Sequence, residues 1–209
     1  MIPYKAIIFD WDGVITDSVV VKTEAYTQMF REYGPEIEKR VAEYHLAHGG
    51  VSRFDKFRYF YKEFLGEKIS EEKVMELANE FSELVFQKVV DSPFIKGAVE
   101  AICKAHEQGL LMFVISGTPT EEMKLIAEKK GLSGYFKEIF GSPTKKNVWT
   151  EYLLEKYALK PKEVLFFGDA EEDRFAAEVN GVDFCYVTGE VKVSSIYGDI
   201  PKSFAVQSF

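Results

Sequence analysis

Asp10 and Asp12 stand two residues apart where the apolar run "AIIF" ends, in the stretch "FDWDGVITDS". Two further apolar runs stop in the same way, "FVIS" at Ser116 and "FFGD" at Asp169. One acid at such a place is most simply a helix cap or a turn residue. Several together call for another account, because carboxylates crowded at the mouth of a core are costly to desolvate without a compensating cation. A hard divalent ion held by carboxylate oxygens, with water in the remaining positions, is most simply Mg²⁺. On a cluster of acids such an ion suits phosphate chemistry, since it neutralises phosphoryl oxygens. A nucleophile is then required, and Asp10 is the candidate, through an aspartyl-phosphate. Asp12, one pleat further on, is placed to protonate the leaving group and afterwards to take the proton of the attacking water.

For these residues to meet, the elements before them must run side by side. The first run, "YKAIIF", has the composition of a buried strand. After "SPFIKG" helix and strand patterns alternate: "AVEAICKAHEQG", "LLMFVIS", "TEEMKLIAEKKG", a short strand around "FKEIFG", "NVWTEYLLEKYAL", "EVLFFGD", "EEDRFAAEVNG" and "VDFCYVTG". Alternation of this kind predicts a parallel sheet with helices on both faces, a three-layer α/β/α, Rossmann-like core. Ligands of such sheets bind beyond the carboxyl ends of the strands, where the strand order reverses. From Asp17 to Phe94 no strand pattern occurs. "SVVVKTEAYTQMFREYG" and "VSRFDKFRYFYKEFLG" have helical periodicity and a Gly stop, and "SEEKVMELANEFSELVFQKVV" opens on a Ser followed by acids. The expected organisation is a core of residues 1–16 and 95–209 with an all-helical cap, 17–94, inserted after the first strand. The tail beyond Val191 is expected to be irregular or a short strand on the surface.

The motifs, in this order and spacing, resemble the haloacid dehalogenase-like superfamily, in particular its phosphatases with a helical cap after the first motif, the phosphoglycolate phosphatase and β-phosphoglucomutase-like branch. The resemblance covers nearly the whole chain. It implies that Asp10 is the nucleophile and Asp12 the acid/base, and that Ser116 and the backbone N–H of Gly117, in "VISGT", hold the transferring phosphate. In "FFGDAEEDRFAA" it implies that Asp169 is a metal ligand beside Asp10 and Asp12, with Asp173 supporting the site. The family's lone lysine corresponds, by its spacing to "GD", to Lys146 in "GSPTKKNVW", with Lys145 as the alternative, and has an electrostatic role toward the phosphate. Haloacid dehalogenases lack an acid at the position of Asp12, which favours phosphoryl transfer here. β-Phosphoglucomutases carry a His shortly after the first motif; this chain has "SVVVKTEAY" there, with Lys22 near that place. The implied activity is Mg²⁺-dependent hydrolysis of a small phosphate monoester, phosphoglycolate phosphatase-like. The alternatives are a sugar-phosphate mutase or a phospho-dependent signalling module that does not turn over.

On the cap side, Gly49-Gly50 breaks a helix and "SR" opens the next, an arrangement in which backbone approaches a ligand and a helix N-terminus receives an anion. Arg53 then either clamps a second anionic group of the substrate or points into solvent behind a Ser52 cap. Lys22 is read as an exposed helix lysine, with contact to an anionic substrate as the other reading. Asp17 is read as a cap where the chain leaves the core. His45 and His48 have i, i+3 spacing but no third ligand nearby, and the stripe "FDKFRYFYKEF" reads as packing. Composition bounds the rest. With 209 residues, 46% hydrophobic and 29% charged, the chain is globular, and its net charge of -8 disfavours nucleic acid as partner. Cys103 and Cys185 are expected to be reduced core residues. Without a signal-peptide pattern or an apolar stretch near the ~20 residues of a membrane span, the expected setting is cytoplasmic, with no membrane contact and a small phosphorylated metabolite as partner.

Overall fold

In the computed structural model, residues 3–199 are described. Five strands form one parallel sheet: β1 Ala6–Phe9, β2 Leu111–Pro119, β3 Glu138–Ser142, β4 Val164–Gly168 and β5 Asp183–Tyr186, in the order β3-β2-β1-β4-β5. All four pairings are parallel, with β1 central between β2 and β4. Central parallel strands are covered on both faces, so they are apolar at every position, and β1 is buried throughout. Alternation then divides each strand between two cores. Ile7, Phe9, Met112, Val114, Leu165 and Phe167 face one side, where α5 (Ala98–Glu107) and α6 (Thr120–Lys129) cover them. Ala6, Ile8, Phe113, Ile115, Val164 and Phe166 face the other, under α7 (Lys146–Lys156) and α8 (Glu171–Val179). The fold is the three-layer α/β/α arrangement expected.

Between β1 and α5 lie four helices and no strand of the sheet: α1 Val19–Met29, α2 Pro35–Ala47, α3 Arg53–Tyr59 and α4 Glu71–Asp91. The helix starts follow the local chemistry, for Ser52 and Ser70 accept from the backbone N–H of Asp55 and Lys73 at 3.2 Å each. The aromatic stripe packs inward. Tyr26, Phe30, Phe57, Phe60 and Phe81 are all buried, and Tyr26 meets Phe81 with ring centroids 4.1 Å apart. This cluster is continuous with the α5/α6 face of the sheet. The pattern after α3 does not end at Tyr59 but runs on as a π-helical turn, Phe60–Leu65.

Three details differ from the expectations. The cap position of α1 falls to Ser18 and not to the exposed Asp17, and even the Ser18 hydroxyl makes no cap bond because Asp12 and Thr16 take it. β2 continues past Ser116 to Pro119, with a register shift between Ile115 and Pro119. Beyond Val191 a 3-10 turn, Val193–Tyr197, buries Ser195 and Ile196; residues 200–209 lie outside the described part. Both cysteines are free. Among the described residues no helix is long and apolar enough to cross a membrane.

Candidate active site

The loops that follow β1, β2 and β4 meet at one place, where the chain, having laid β2 and β3 to one side of β1, crosses to lay β4 on the other. The first loop brings Asp10 and Asp12, the second Ser116 to Thr118, the third Asp169. The Asp10 N–H still donates to the Phe167 carbonyl at 2.9 Å, so the ladder holds this residue rigidly one step beyond the strand. Its carboxylate is fixed on both oxygens. Oδ1 accepts from the Trp11 N–H at 2.7 Å, and Oδ2 faces the Lys146 ammonium at 2.8 Å. Lys146 enters from the first turn of α7 and also contacts Asp173 Oδ1 at 2.6 Å. Asp173 in turn accepts from the Ala170 N–H at 3.1 Å through Oδ2, pinning the start of α8. Of the two adjacent lysines, Lys146 is inside; Lys145, at the N-cap of α7, is exposed.

Oxygens of Asp10, Asp169 and Asp173 all lie within 4.8 Å of one another. The Asp12 carboxylate is turned away from that group. Its Oδ1 accepts from the Ser18 hydroxyl at 2.6 Å, and its Oδ2 pairs with the Lys22 ammonium. Lys22 also donates to Thr118 Oγ1 at 2.8 Å. Lys22 is therefore buried and not an exposed helix lysine: the unpaired acid at the strand end draws it in. Ser116 is buried beside these groups, its Oγ accepting from the Thr118 N–H at 3.1 Å.

The electrostatics follow from burial. Burial pushes the Asp10 carboxyl up to about 7, with Asp173 adding to the rise and Lys146 opposing it. Burial and then Asp10 raise Asp169 well above the usual carboxylate range, and burial raises Asp173 against the pull of Lys146. For Lys146 burial works against the charge, but Asp10 and Asp173 outweigh it and the ammonium stays protonated. Burial also works against ionised Asp12, yet Lys22 and Ser18 prevail and hold its pKa low. Four carboxylates thus face Lys22 and Lys146, and burial resists ionising Asp10, Asp169 and Asp173 together without a further cation. An all-oxygen donor set of that kind fits a hard divalent cation, which Asp10 and Asp169 would hold with Asp173 beside them.

Helices α1 to α4 close over this cleft. The Gly49-Gly50 turn lies against the core: a Cβ on Gly50 would stand 2.8 Å from Cβ of Glu172, and one on Gly117 3.0 Å from the Gly50 carbonyl oxygen. Glycine is needed there for contact between backbones. Arg53 is neither in solvent nor free. It makes a bidentate pair with Glu122 of α6, both bonds 2.8 Å, donates to Ser82 of α4, and lies over the Phe81 ring at 4.8 Å. Its charge is already neutralised by Glu122. His45 and His48 share no site: His45 Nδ1 lies 2.6 Å from Lys56 Nζ, and His48 Nδ1 lies 2.9 Å from the Tyr44 carbonyl oxygen.

Two chambers flank the Gly50–Gly117 contact. One, of about 30 Å³, is lined by Asp10, Asp12 and Asp169 below and by Lys22, Arg53 and Lys56 above. The other, of about 330 Å³, is lined by Ser116, Lys146, Asp55 and Phe175 and contains neither Asp10 nor Asp12. Lys56, Ser18, Thr118 and Glu122 were not singled out by sequence. For Lys56 a signal existed, since positions 53, 56, 57 and 60 share one helical face, which puts two cations on the aromatic side of the stripe.

The model of the haloacid dehalogenase-like hydrolases matches residues 4–181. The chain belongs to that family, and it is an enzyme, a phosphatase. It is 25% identical over 199 residues to a phosphoglycolate phosphatase of Pasteurella multocida, covering 90% of this chain and 86% of the relative. A phosphoglycolate phosphatase of Aliivibrio fischeri is 26% identical over 186 residues, covering 85% and 81%. Among solved structures, a β-phosphoglucomutase of Clostridium difficile has the same fold, with a TM-score of 0.73, 18% identity, and 88% and 84% of the two chains covered.

Proposed function

We propose that the protein hydrolyses a small phosphate monoester with Mg²⁺ as cofactor, through an aspartyl-phosphate on Asp10, and that its substrate is of the phosphoglycolate kind. The observation that carries this reading is the clamped Asp10 carboxylate, held by Trp11 and Lys146 in a cluster of three acids that this one ammonium answers. In this scheme Asp10 attacks phosphorus as the ester P–O bond breaks. Asp12 passes the leaving oxygen a proton that in the resting pair resides on the Lys22 ammonium, then takes one from the water that attacks the phosphorylated Asp10, and inorganic phosphate departs. Ser116 and the Gly117 N–H hold the phosphoryl oxygens, and Lys146 orients Asp10 and offsets its charge. The ion, when held by Asp10 and Asp169, supplies charge neutralisation to the phosphoryl group. Residues 17–94 act as a cap over the core of 1–16 and 95–209. The ion pair between Asp12 and Lys22, in the place where mutases carry their histidine, supports the hydrolase over the mutase.

The test is release of inorganic phosphate from a panel of phosphometabolites, with Mg²⁺ and with a chelator. Mg²⁺-dependent turnover of phosphoglycolate supports the reading. Turnover undiminished by the chelator removes the metal from it, and a sugar-phosphate isomer formed without phosphate release replaces it with the mutase.

A further inference from the structure

Three cations line the roof of the small chamber, and two of them are already answered. Lys22 has Asp12 and Arg53 has Glu122. Lys56 is different. It is 1% exposed, yet among the described residues no carboxylate lies within 4 Å of its ammonium. Its partners are all neutral: His45 Nδ1 at 2.6 Å, the Gly49 carbonyl oxygen at 3.4 Å and the Tyr26 ring, with its centroid 5.5 Å away. An ammonium has three N–H groups, so one remains for another acceptor. A buried charge without a counter-ion is expensive, and proteins keep such groups where a ligand supplies the missing sign.

We infer that Lys56 is the receptor for a second anionic group, a carboxylate, on the leaving-group side of the substrate, and so determines which monoesters the enzyme takes. The placement fits. Lys56 shares its chamber with Asp10 and with Asp12, the residue proposed to protonate the leaving oxygen, whereas the larger chamber contains neither acid. The chamber is about 30 Å³, little more than the room of one or two waters, which favours a compact carboxylate over a second phosphate. His45 has the role of an acceptor. It is neutral, its pKa taken down to about 2 by burial and then by Lys56, so it aims the ammonium without competing for the anion. Burial, and then Lys22, lower Lys56 itself to about 7, and an incoming carboxylate would restore its charge. This inference rests on the reading of the chain as a phosphatase only for the identity of the reacting end.

The test compares phosphoglycolate with ethyl phosphate, which lacks the carboxylate, in wild type and in Lys56→Met. Loss of one charge-assisted hydrogen bond should lower the ratio of kcat/KM for the two esters by about tenfold to a hundredfold. Because Met removes an uncompensated buried charge, the melting temperature should stay at or above that of the wild type. An unchanged ratio overturns the inference, as do equal losses on both esters with a lowered melting temperature, which mark a structural lysine. Calorimetric binding of phosphoglycolate to Asp10→Asn, with and without Lys56→Met, asks the same question without turnover. If the wild type hydrolyses neither ester, the phosphatase reading fails, while a tenfold weaker Kd on losing Lys56 still upholds the receptor. An equal Kd overturns it.

Discussion

At the scale of single residues, the site depends on carboxylates kept in different states by different neighbours. Asp10 is buried among acids with one lysine for relief, and Asp12 is held low by a lysine of its own. Asp10→Asn keeps the shape and the Trp11 bond but loses the nucleophile. Phosphate release should fall by at least about a thousandfold with a normal melting curve, and a loss of less than about tenfold would sink the covalent scheme. Lys56 gives a prediction about pH. Its folded pKa, about 7, lies below the 10.5 of the free side chain, so between these values the unfolded chain binds the extra proton. Stability then rises with pH across that window, and the penalty of burying Lys56 is largest below pH 7. Melting curves of wild type and Lys56→Met should differ most near pH 6, and the difference should shrink steadily as pH rises from 7 toward 10.5. A constant difference would show that Lys56 does not titrate in the fold.

At the scale of elements, α3 and α4 are tied to α6 through Arg53, Ser82 and Glu122. Arg53 is 3% exposed, so Glu122→Ala leaves a buried guanidinium without its carboxylate, a loss of about 3–5 kcal/mol. The double variant Arg53→Met, Glu122→Ala should lose less than Glu122→Ala alone, and additive losses in denaturant titrations would mean the pair is not coupled. Since Arg53 is spoken for, Arg53→Ala should lower kcat/KM for phosphoglycolate and ethyl phosphate alike, and a loss confined to phosphoglycolate would return Arg53 to the role of substrate clamp. The Gly50 turn sets how closely the α2–α3 connection can approach Gly117 and Glu172. Gly50→Ala places a methyl 2.8 Å from Glu172 Cβ, so closure should be impeded and kcat should drop with little change in melting temperature. An unaltered kcat would show that closure tolerates the methyl.

At the scale of the whole molecule, the chamber holding Asp10 and Asp12 is about 30 Å³, roofed by α1 to α4, and the space above Asp12 limits what the leaving group can be. Two- and three-carbon monoesters should therefore exceed hexose phosphates in kcat/KM by at least about tenfold, on the scale of interactions lost when a group does not fit. A hexose phosphate at the head of the panel would show that the leaving group uses the 330 Å³ chamber instead.

How much of this was legible beforehand depends on the range of the interaction. Strand and helix alternation, the Ser caps and the acids at the ends of β1 and β4 follow from nearest neighbours along the chain, and the sequence alone determined them. It also placed Asp10, Ser116 and Asp169 together, because a parallel sheet brings the carboxyl ends of its strands to one edge. The fate of the cations was decided only in three dimensions. Lys22 and Arg53 carry the same local pattern as any solvent-facing basic residue on an amphipathic helix. Whether each is buried depends on Asp12 and Glu122, which lie 10 and 69 positions away in the chain. The spacing to "GD" already favours Lys146 over Lys145, and the first turn of α7 turns Lys146 inward onto Asp10 and Asp173. Lys56 lies in a stripe read as packing, and only the fold of α3 over the site shows a buried cation with no carboxylate within 4 Å among the described residues, because such pairing is a property of the fold and not of the chain.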